Sequence, residues 1–281
     1  MAPLDAADWL LRRPYRELRA LPPNRFRIRV GVGNRLLANA VHYRTFATNF
    51  WLDAFASGVA GPGSDILDIG CGCGRFALTL REFRYHGRRF SGHYTGIDVD
   101  AEMLAWCRRH FPADRFSFLE VDAANTAYRP DGRENQEQVR FAAQDQSQDL
   151  VLANSLFTHL LADAAIAYVR EAARVLRPGG CLQLSALRIE DVHEAKAPGM
   201  RDSRWSFEHR VGEAYVEDPR VPEAAVAYEH RYLKGILRDA GFGPIETLPT
   251  DTHAIYRATK PAVVVSVVTT RQPAATVTPA E

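Results

Sequence analysis

The sequence is short of lysine, of excess charge and of long apolar runs, and these shortages exclude several classes of protein. Its 35 basic residues include only three lysines, Lys196, Lys234 and Lys260, and they balance 34 acidic residues to leave a net charge of +1. Nucleic-acid-binding proteins usually carry a pronounced basic excess, so no nucleic-acid partner is expected. Because the sequence contains no run of eighteen apolar residues, no membrane span is predicted.

Cysteine is also scarce, and its placement disfavours a metal site. Cys71 and Cys73 lie in a glycine-rich segment, whereas Cys107 and Cys181 stand apart, so no paired metal-ligand spacing is present. We expect reduced, packed thiols and no metal. The N-terminal stretch MAPLDAADW is acidic where a secretory signal would be basic and then apolar, so a cytoplasmic location is expected. Nothing in the sequence indicates an oligomeric state.

The first 50 residues are locally basic, with nine arginines against Asp5, Asp8 and Glu17. Attraction to an acidic substrate or to a phosphate-bearing lipid would account for this excess. The preference of the whole chain for arginine over lysine accounts for it equally well, and we favour that second explanation.

The most informative segment runs from Ile66 to Gly74 and reads ILDIGCGCG. Its apolar start predicts a buried strand, and its alternate glycines allow a sharp turn in which backbone N–H groups can approach a ligand. Because residues 75–80 predict a helix, the turn lies at the positive end of that helix. A dinucleotide fingerprint would need a third glycine where Arg75 stands, which disfavours an NAD-dependent oxidoreductase.

The pattern D-x-G-x-G-x-G, starting at Asp68, resembles the first motif of the class I S-adenosylmethionine-dependent methyltransferases. The resemblance covers residues 65–185, because further predicted strands end at suitable distances. Less specifically, residues 155–160 and 225–242 resemble bacterial small-molecule methyltransferases. The residues that follow the later strands are Asp98, Asp122 with Ala123, and Asn154 with Ser155.

The resemblance implies S-adenosylmethionine as the cofactor. Asp68 and the glycine turn would surround its methionine end, and Asp98 would accept both hydrogen bonds of the ribose diol, although a surface or helix-capping role for Asp98 is also open. Asp122 would meet the adenine. The cofactor residues that the resemblance implies are Asp68, Gly70, Cys71, Gly72, Gly74, Asp98, Val99, Met103, Asp122, Ala123, Asn154 and Ser155.

The implied fold class is α/β, a Rossmann-like, mostly parallel sheet of seven strands with helices on both faces, an antiparallel last strand and an N-terminal helical cover. Residues 1–60 would form the cover, residues 61–269 the methyltransferase domain and residues 270–281 a flexible tail. Insertions are expected at residues 124–148 and 187–224, both as polar surface segments.

Four further elements are predicted from periodicity and from turn residues. A helix is expected from Asn39 to Phe55 in the cover, where it would shield the cofactor or simply pack against the sheet. Another helix is expected from Val226 to Asp239, followed by strands from Ile245 to Leu248 and from Val263 to Val268.

Methyl transfer from a sulfonium is an in-line displacement, so the protein mainly aligns the reactants and, for some acceptors, removes a proton. His159, just after the fourth strand, is the candidate catalytic base, and its alternative role is to cap a helix or pack beside the pocket. His209 and His230, with Glu208 and Tyr228, are weaker candidates.

Asn154 is followed by Ser-Leu-Phe, whereas enzymes that methylate exocyclic base amines or glutamine amides usually carry an Asn/Asp-Pro-Pro-Tyr-like turn there. The sequence therefore predicts a methyltransferase acting on a hydroxyl, carboxyl or amine of a small-molecule acceptor. The alternative is a scaffold or regulatory protein that keeps the fold and has lost transfer activity.

Overall fold

The computed structural model describes residues 3–32, 36–125, 127, 129–133, 135–195, 205–249 and 253–262. The α-helices in these ranges are α1 (Pro3–Arg12), α2 (Asn24–Arg27), α3 (Leu36–Ala56), α4 (Arg75–Glu82), α5 (Ala101–His110), α6 (Ala162–Val175), α7 (Ile189–Ala195) and α8 (His230–Asp239). Short 3₁₀ segments lie at Arg16–Leu18, Gln136–Gln138, Phe157–His159 and Pro222–Ala224, and a π-helical segment at Ile28–Val32.

The strands are β1 (Ile66–Ile69), β2 (Arg84–Tyr85), β3 (Arg88–Arg89), β4 (Tyr94–Asp98), β5 (Phe116–Glu120), β6 (Gln148–Ala153), β7 (Leu176–Arg188), β8 (His209–Val211), β9 (Ala214–Val216), β10 (Val226–Tyr228), β11 (Ile245–Pro249) and β12 (Ala254–Thr259). The main sheet has a core in the order β5-β4-β1-β6-β7-β12-β11. β5, β4, β1, β6 and β7 pair in parallel, whereas β12 is antiparallel to both of its neighbours. The predicted fold class is confirmed.

Helices cover both faces of the sheet, as predicted. Helices α3, α4 and α5 pack on one face, where the indole N–H of the buried Trp51 donates to the carbonyl of Phe76 at 2.9 Å. Helices α6 and α8 pack on the other face. The helix expected from Asn39 to Phe55 is confirmed as α3. Within the described ranges, no helix is both long enough and apolar enough to cross a bilayer.

The segment predicted as the second polar insertion widens the sheet. β8 and β9 form a hairpin, and β10 joins it to the end of β7, with Ala227 opposite Leu187. The expected helix from Val226 is therefore wrong in its first turn, because the buried residues Val226–Tyr228 pair as a strand and α8 begins only at His230. A local apolar pattern does not reveal a pairing partner so far away in the chain.

The strand expected from Val263 to Val268 lies outside the described residues. The strand that pairs with β11 is β12, which begins about ten residues earlier, with Ile245 opposite Ala258. The β-branched run after residue 260 was the stronger strand pattern, but β12 has buried residues that pack against the helices of one face. The position of the hairpin's second strand was therefore predicted incorrectly.

Candidate functional site

The glycine turn joins β1 to α4 through three residues in the left-handed region. Gly70, Gly72 and Gly74 have φ values of 75°, 53° and 73°, a conformation that other L-residues rarely adopt. The N–H groups of Gly70 and Cys71 donate to the carbonyl of Ile97 at 2.8 and 3.1 Å. The turn is thus fixed against the end of β4, and Gly74 leads directly into α4.

Asp98, the last residue of β4, is bonded to this turn. One oxygen of its carboxylate accepts the N–H of Gly72 at 2.7 Å, and the other accepts the N–H of Asp100 at 2.9 Å. Burial raises the pKa of Asp98, against the opposing effect of the bonds from backbone N–H groups. Two predicted cofactor residues, one in the turn after β1 and one at the end of β4, therefore meet at one edge of the sheet.

Asp68 lies beneath the turn and is 1% exposed. Its carboxylate accepts a hydrogen bond from the hydroxyl of Tyr94, a residue of the neighbouring strand. Burial raises the pKa of Asp68 to about 7, while the Tyr94 hydroxyl and the charge of Arg75 act in the opposite direction. The first residue of the motif thus links β1 to β4 through a buried hydrogen bond.

Met103 and Val99 extend the same edge. The side chain of Asp100 caps α5 by accepting the N–H groups of Glu102 and Met103, each at 3.1 Å. The sulfur of the buried Met103 lies 3.7 Å from where a Cβ at residue 72 would stand. Met103 therefore packs beside the second glycine of the turn.

Asp122 follows β5 and pairs with two arginines of the first insertion. Its oxygens lie 2.9 Å from Arg129 and 3.2 Å from Arg133. Arg129 also donates to the carbonyl of Val99 at 2.8 Å and to Glu120 at 2.6 Å. It thus links β4 and β5 where the adenine is expected, next to the buried Ala123.

Sequence reasoning did not single out Arg129. It lies in a polar insertion without periodicity, and no motif surrounds it. Only the antiparallel bridge between Asn125 and Arg129, which turns the chain back toward β5, brings its side chain to Asp122.

Asn154 and Ser155 follow β6 and lie in a second sharp turn. Ser155 has a φ of 58°, and its N–H donates to the hydroxyl of Ser185 on β7 at 2.7 Å. The side chain of the next residue, Leu156, lies 3.5 Å from where a Cβ at Gly70 would stand. The turn after β6 is therefore in contact with the glycine turn.

His159 ends the short helix that follows. Its Nδ1 lies 3.0 Å from the carbonyl of Glu223, and its own carbonyl accepts a bond from the side chain of Asn125 at 3.1 Å. Burial lowers its pKa, so the imidazole is neutral near pH 7. His159 thus connects the turn after β6 to both predicted insertions.

The weaker candidates for the catalytic base form their hydrogen bonds away from the glycine turn. The ring Nδ1 of His230 lies within hydrogen-bond distance of the hydroxyl of Tyr256, at 2.8 Å. The backbone N–H of His230 donates to the carboxylate of Glu190. His209 is exposed on β8, and Tyr228 donates to the carbonyl of Leu160. None of these contacts involves a predicted cofactor residue.

The N-terminal segment covers the glycine turn. The side chain of Val30 approaches Gly72 so closely that a Cβ there would lie 2.6 Å from it. Arg29 pairs with Asp100 and Glu102, and the hydroxyl of Tyr43 donates to the carbonyl of Cys73 at 3.2 Å. The predicted cover is therefore in contact with the site.

All four cysteines are free and buried. Burial raises the pKa of Cys73 and of Cys181 to about 11, so these thiols remain protonated at neutral pH. The expectation of packed, reduced thiols is confirmed.

Comparison with known proteins agrees with this geometry. Residues 66–180 match the family model of the methyltransferase domain. The chain is 32% identical over 136 residues to a ubiquinone biosynthesis O-methyltransferase of Xanthomonas campestris, which is 48% of each chain. It is 31% identical over 135 residues to a malonyl-[acyl-carrier protein] O-methyltransferase of Erwinia billingiae, 48% of this chain and 43% of that one. The chain thus spans about half the length of these relatives.

Among solved structures, magnesium protoporphyrin IX methyltransferase from Synechocystis, with bound SAH, superposes with a TM-score of 0.52. The sequence identity is 16%, and the match covers 83% of this chain and 93% of that chain. At this identity the likeness concerns the fold alone. Residues 66–180 therefore form a methyltransferase domain, and the strand order and the glycine turn are those expected of a class I S-adenosylmethionine-dependent methyltransferase.

Proposed function

We propose that the chain binds S-adenosylmethionine at the edge formed by β1, β4 and β5 and transfers its methyl group to a hydroxyl, carboxyl or amine of a small metabolite. One observation carries the proposal, the 2.7 Å bond between the N–H of Gly72 and the carboxylate of Asp98. It holds the glycine turn and a carboxylate side by side at the carboxyl ends of parallel strands, where ligands of such sheets bind.

The residues present fit an adenosyl sulfonium. Gly70 and Gly72 place no side chain of their own over the backbone of the turn, and Asp98 would accept the ribose hydroxyls. Asp122, held by Arg129, would meet the adenine. The remaining proposed cofactor contacts are Asp68, Cys71, Gly74, Val99, Met103, Ala123, Asn154 and Ser155.

The bound sulfonium would supply a methyl group that is already activated. The chain would align the acceptor, exclude water and, for a hydroxyl or amine acceptor, hold a base. His159 is our candidate for that base, because a proton on Nδ1 toward the Glu223 carbonyl leaves the basic lone pair on Nε2. The O-methyltransferases among the relatives support an oxygen acceptor.

Isothermal titration with S-adenosylmethionine and S-adenosylhomocysteine tests the proposal. We expect both to bind the native chain, and Asp98→Ala to weaken each by at least about tenfold, since hydrogen bonds to a charged group are worth about 1.5–3 kcal/mol. Asp114→Ala is the matched control, because Asp114 is 68% exposed and precedes β5. Native affinity in Asp98→Ala would refute the ribose contact.

The same experiment separates the alternatives. Formation of S-adenosylhomocysteine on addition of candidate acceptors would show transfer, whereas cofactor binding without turnover of any acceptor would favour a scaffold. Binding of NADH in place of S-adenosylhomocysteine would favour an oxidoreductase.

Three broader expectations are also our proposals. A cytoplasmic location is supported by the four reduced, buried thiols, and the absence of a nucleic-acid partner by the balanced charge. The division into a cover of residues 1–60 and a methyltransferase domain of residues 61–269 is supported by the contacts of the cover with the glycine turn.

A further inference from the structure

Helix α1 turns its charged side chains inward. Asp5, Asp8 and Arg12, which lie on one side of the helix at helical spacing, are 3%, 0% and 4% exposed. Asp8 accepts bonds from Arg12 at 2.9 Å and from the buried Arg27 at 2.6 Å, and Asp5 pairs with Arg25. The ionic face of this helix is therefore satisfied inside the protein.

The rest of the circumference of α1, its apolar face, carries only apolar side chains and is exposed or half-buried. Leu4, Trp9, Leu10 and Leu11 are between 46% and 59% exposed, and Tyr15 just beyond the helix is 48% exposed. A surface helix ordinarily has the reverse arrangement, with its apolar stripe against the core. Exposed apolar side chains that lie together in this way mark a surface that contacts a protein partner or a membrane.

The rim of this apolar face is positively charged. Arg13, Arg16 and Arg19 are exposed and Glu17 is the exposed acid among them, so these four residues carry a net charge of +2. No ion pair joins these three arginines to other residues within the described part of the chain. An open cavity of about 310 Å³ beside the ring of Trp9 is lined by Trp9, Arg12, Arg13 and Arg19.

We propose that α1 and the segment that follows dock onto the surface of an anionic lipid bilayer. Leucine, tryptophan and tyrosine side chains would enter the boundary of the acyl chains, and the arginines would bind lipid phosphates, in part through the cavity beside Trp9. A second copy of the chain fits less well, because a two-fold contact between identical faces brings two basic rims together. The proposal does not depend on methyl transfer.

Vesicle flotation with the full-length chain tests this docking. We expect binding to vesicles of phosphatidylcholine with phosphatidylglycerol and much weaker binding to phosphatidylcholine alone. Leu10→Ser/Leu11→Ser should lower the partition coefficient by at least about tenfold, because two leucine side chains no longer move from water into the acyl-chain boundary. The tenfold figure assumes that the native side chains are only partly buried there. Leu52→Ser is the matched control, since Leu52 is 47% exposed on α3 and should change nothing.

The arginines are tested separately. Arg13→Glu/Arg16→Glu should reduce binding to anionic vesicles by more than about tenfold, because two cations that attract lipid phosphates become anions that are repelled by them. Arg109→Glu, an exposed arginine on α5, is the control. Trp9→Phe should keep most of the binding but lose the quenching of fluorescence by brominated lipids, which identifies the face that enters the bilayer.

Equal thermal unfolding temperatures of the variants and the native chain would show that the fold is intact, as expected for outward-facing residues. The proposal is overturned if the native chain remains at the bottom of the gradient, unbound, in the presence of anionic vesicles. It is equally overturned if the serine and glutamate variants bind as the native chain does. It is also overturned if the native chain is a dimer that Leu10→Ser/Leu11→Ser dissociates.

Discussion

Replacement of Gly72 by alanine tests the glycine turn most sharply, because the structure separates the loss of stability into backbone strain and overpacking. Gly72 has a φ of 53°, where an alanine is strained by about 1–2 kcal/mol. Its new methyl group would also lie 2.6 Å from Cγ1 of Val30, and overpacking of this kind costs about 1–3 kcal/mol. Together these give a loss of about 2–5 kcal/mol in the free energy of unfolding.

Gly212→Ala is the matched control, because Gly212 has a φ of 59° and nothing within 4 Å of its Cβ position. It should lose only the strain of about 1–2 kcal/mol. Val30→Ala added to Gly72→Ala should restore most of the overpacking loss. Urea denaturation of the four proteins measures these differences.

Affinity for S-adenosylhomocysteine should follow a different order from stability. The methyl group of Gly72→Ala stands where the backbone would approach the ligand, so both this variant and its combination with Val30→Ala should bind at least about tenfold more weakly. Gly212→Ala should bind as the native chain does. If Gly72→Ala keeps native affinity in isothermal titration, the turn is not the cofactor cradle and the reasoning is refuted.

Two further predictions concern buried charges. The raised pKa of Asp68 means that the folded chain holds a proton which the unfolded chain has lost, so the stability of the native protein should fall as pH rises between 3.8 and about 7. In urea denaturation, Asp68→Asn should lack this part of the pH dependence while keeping an acceptor for Tyr94, and an unchanged slope would contradict the assignment. Asp8→Ala leaves Arg12 and Arg27 buried without their shared carboxylate, so we expect a loss of about 3–5 kcal/mol. Faster hydrogen exchange confined to the N-terminal cover would show that this stability is lost there, and unchanged protection of the cover would contradict the prediction.

The positions of the parallel strands could be predicted from the sequence because each strand is a short apolar run that ends at a polar residue. Asp98 illustrates this, since the end of β4 next to β1 follows from the strand order of the fold. Its bond to the N–H of Gly72 could not be predicted, because it depends on the conformation of the turn.

Contacts between distant segments were the least predictable. β10 pairs with the end of β7 about forty residues earlier, and no local pattern distinguishes such a strand from the first turn of a helix. Arg129 reaches Asp122 from a polar insertion for the same reason. The burial of the charged face of α1 could not be predicted either. The pattern of α1 alone does not show that Arg27, from another helix, pairs with Asp8.

The crystal structure of the chain with S-adenosylhomocysteine tests the central claim most directly. The account predicts the ribose hydroxyls on the carboxylate of Asp98, the adenine beside Asp122 and the amino-acid end over the turn at Gly70. A ligand bound elsewhere, or no bound ligand at saturating concentration, would contradict it.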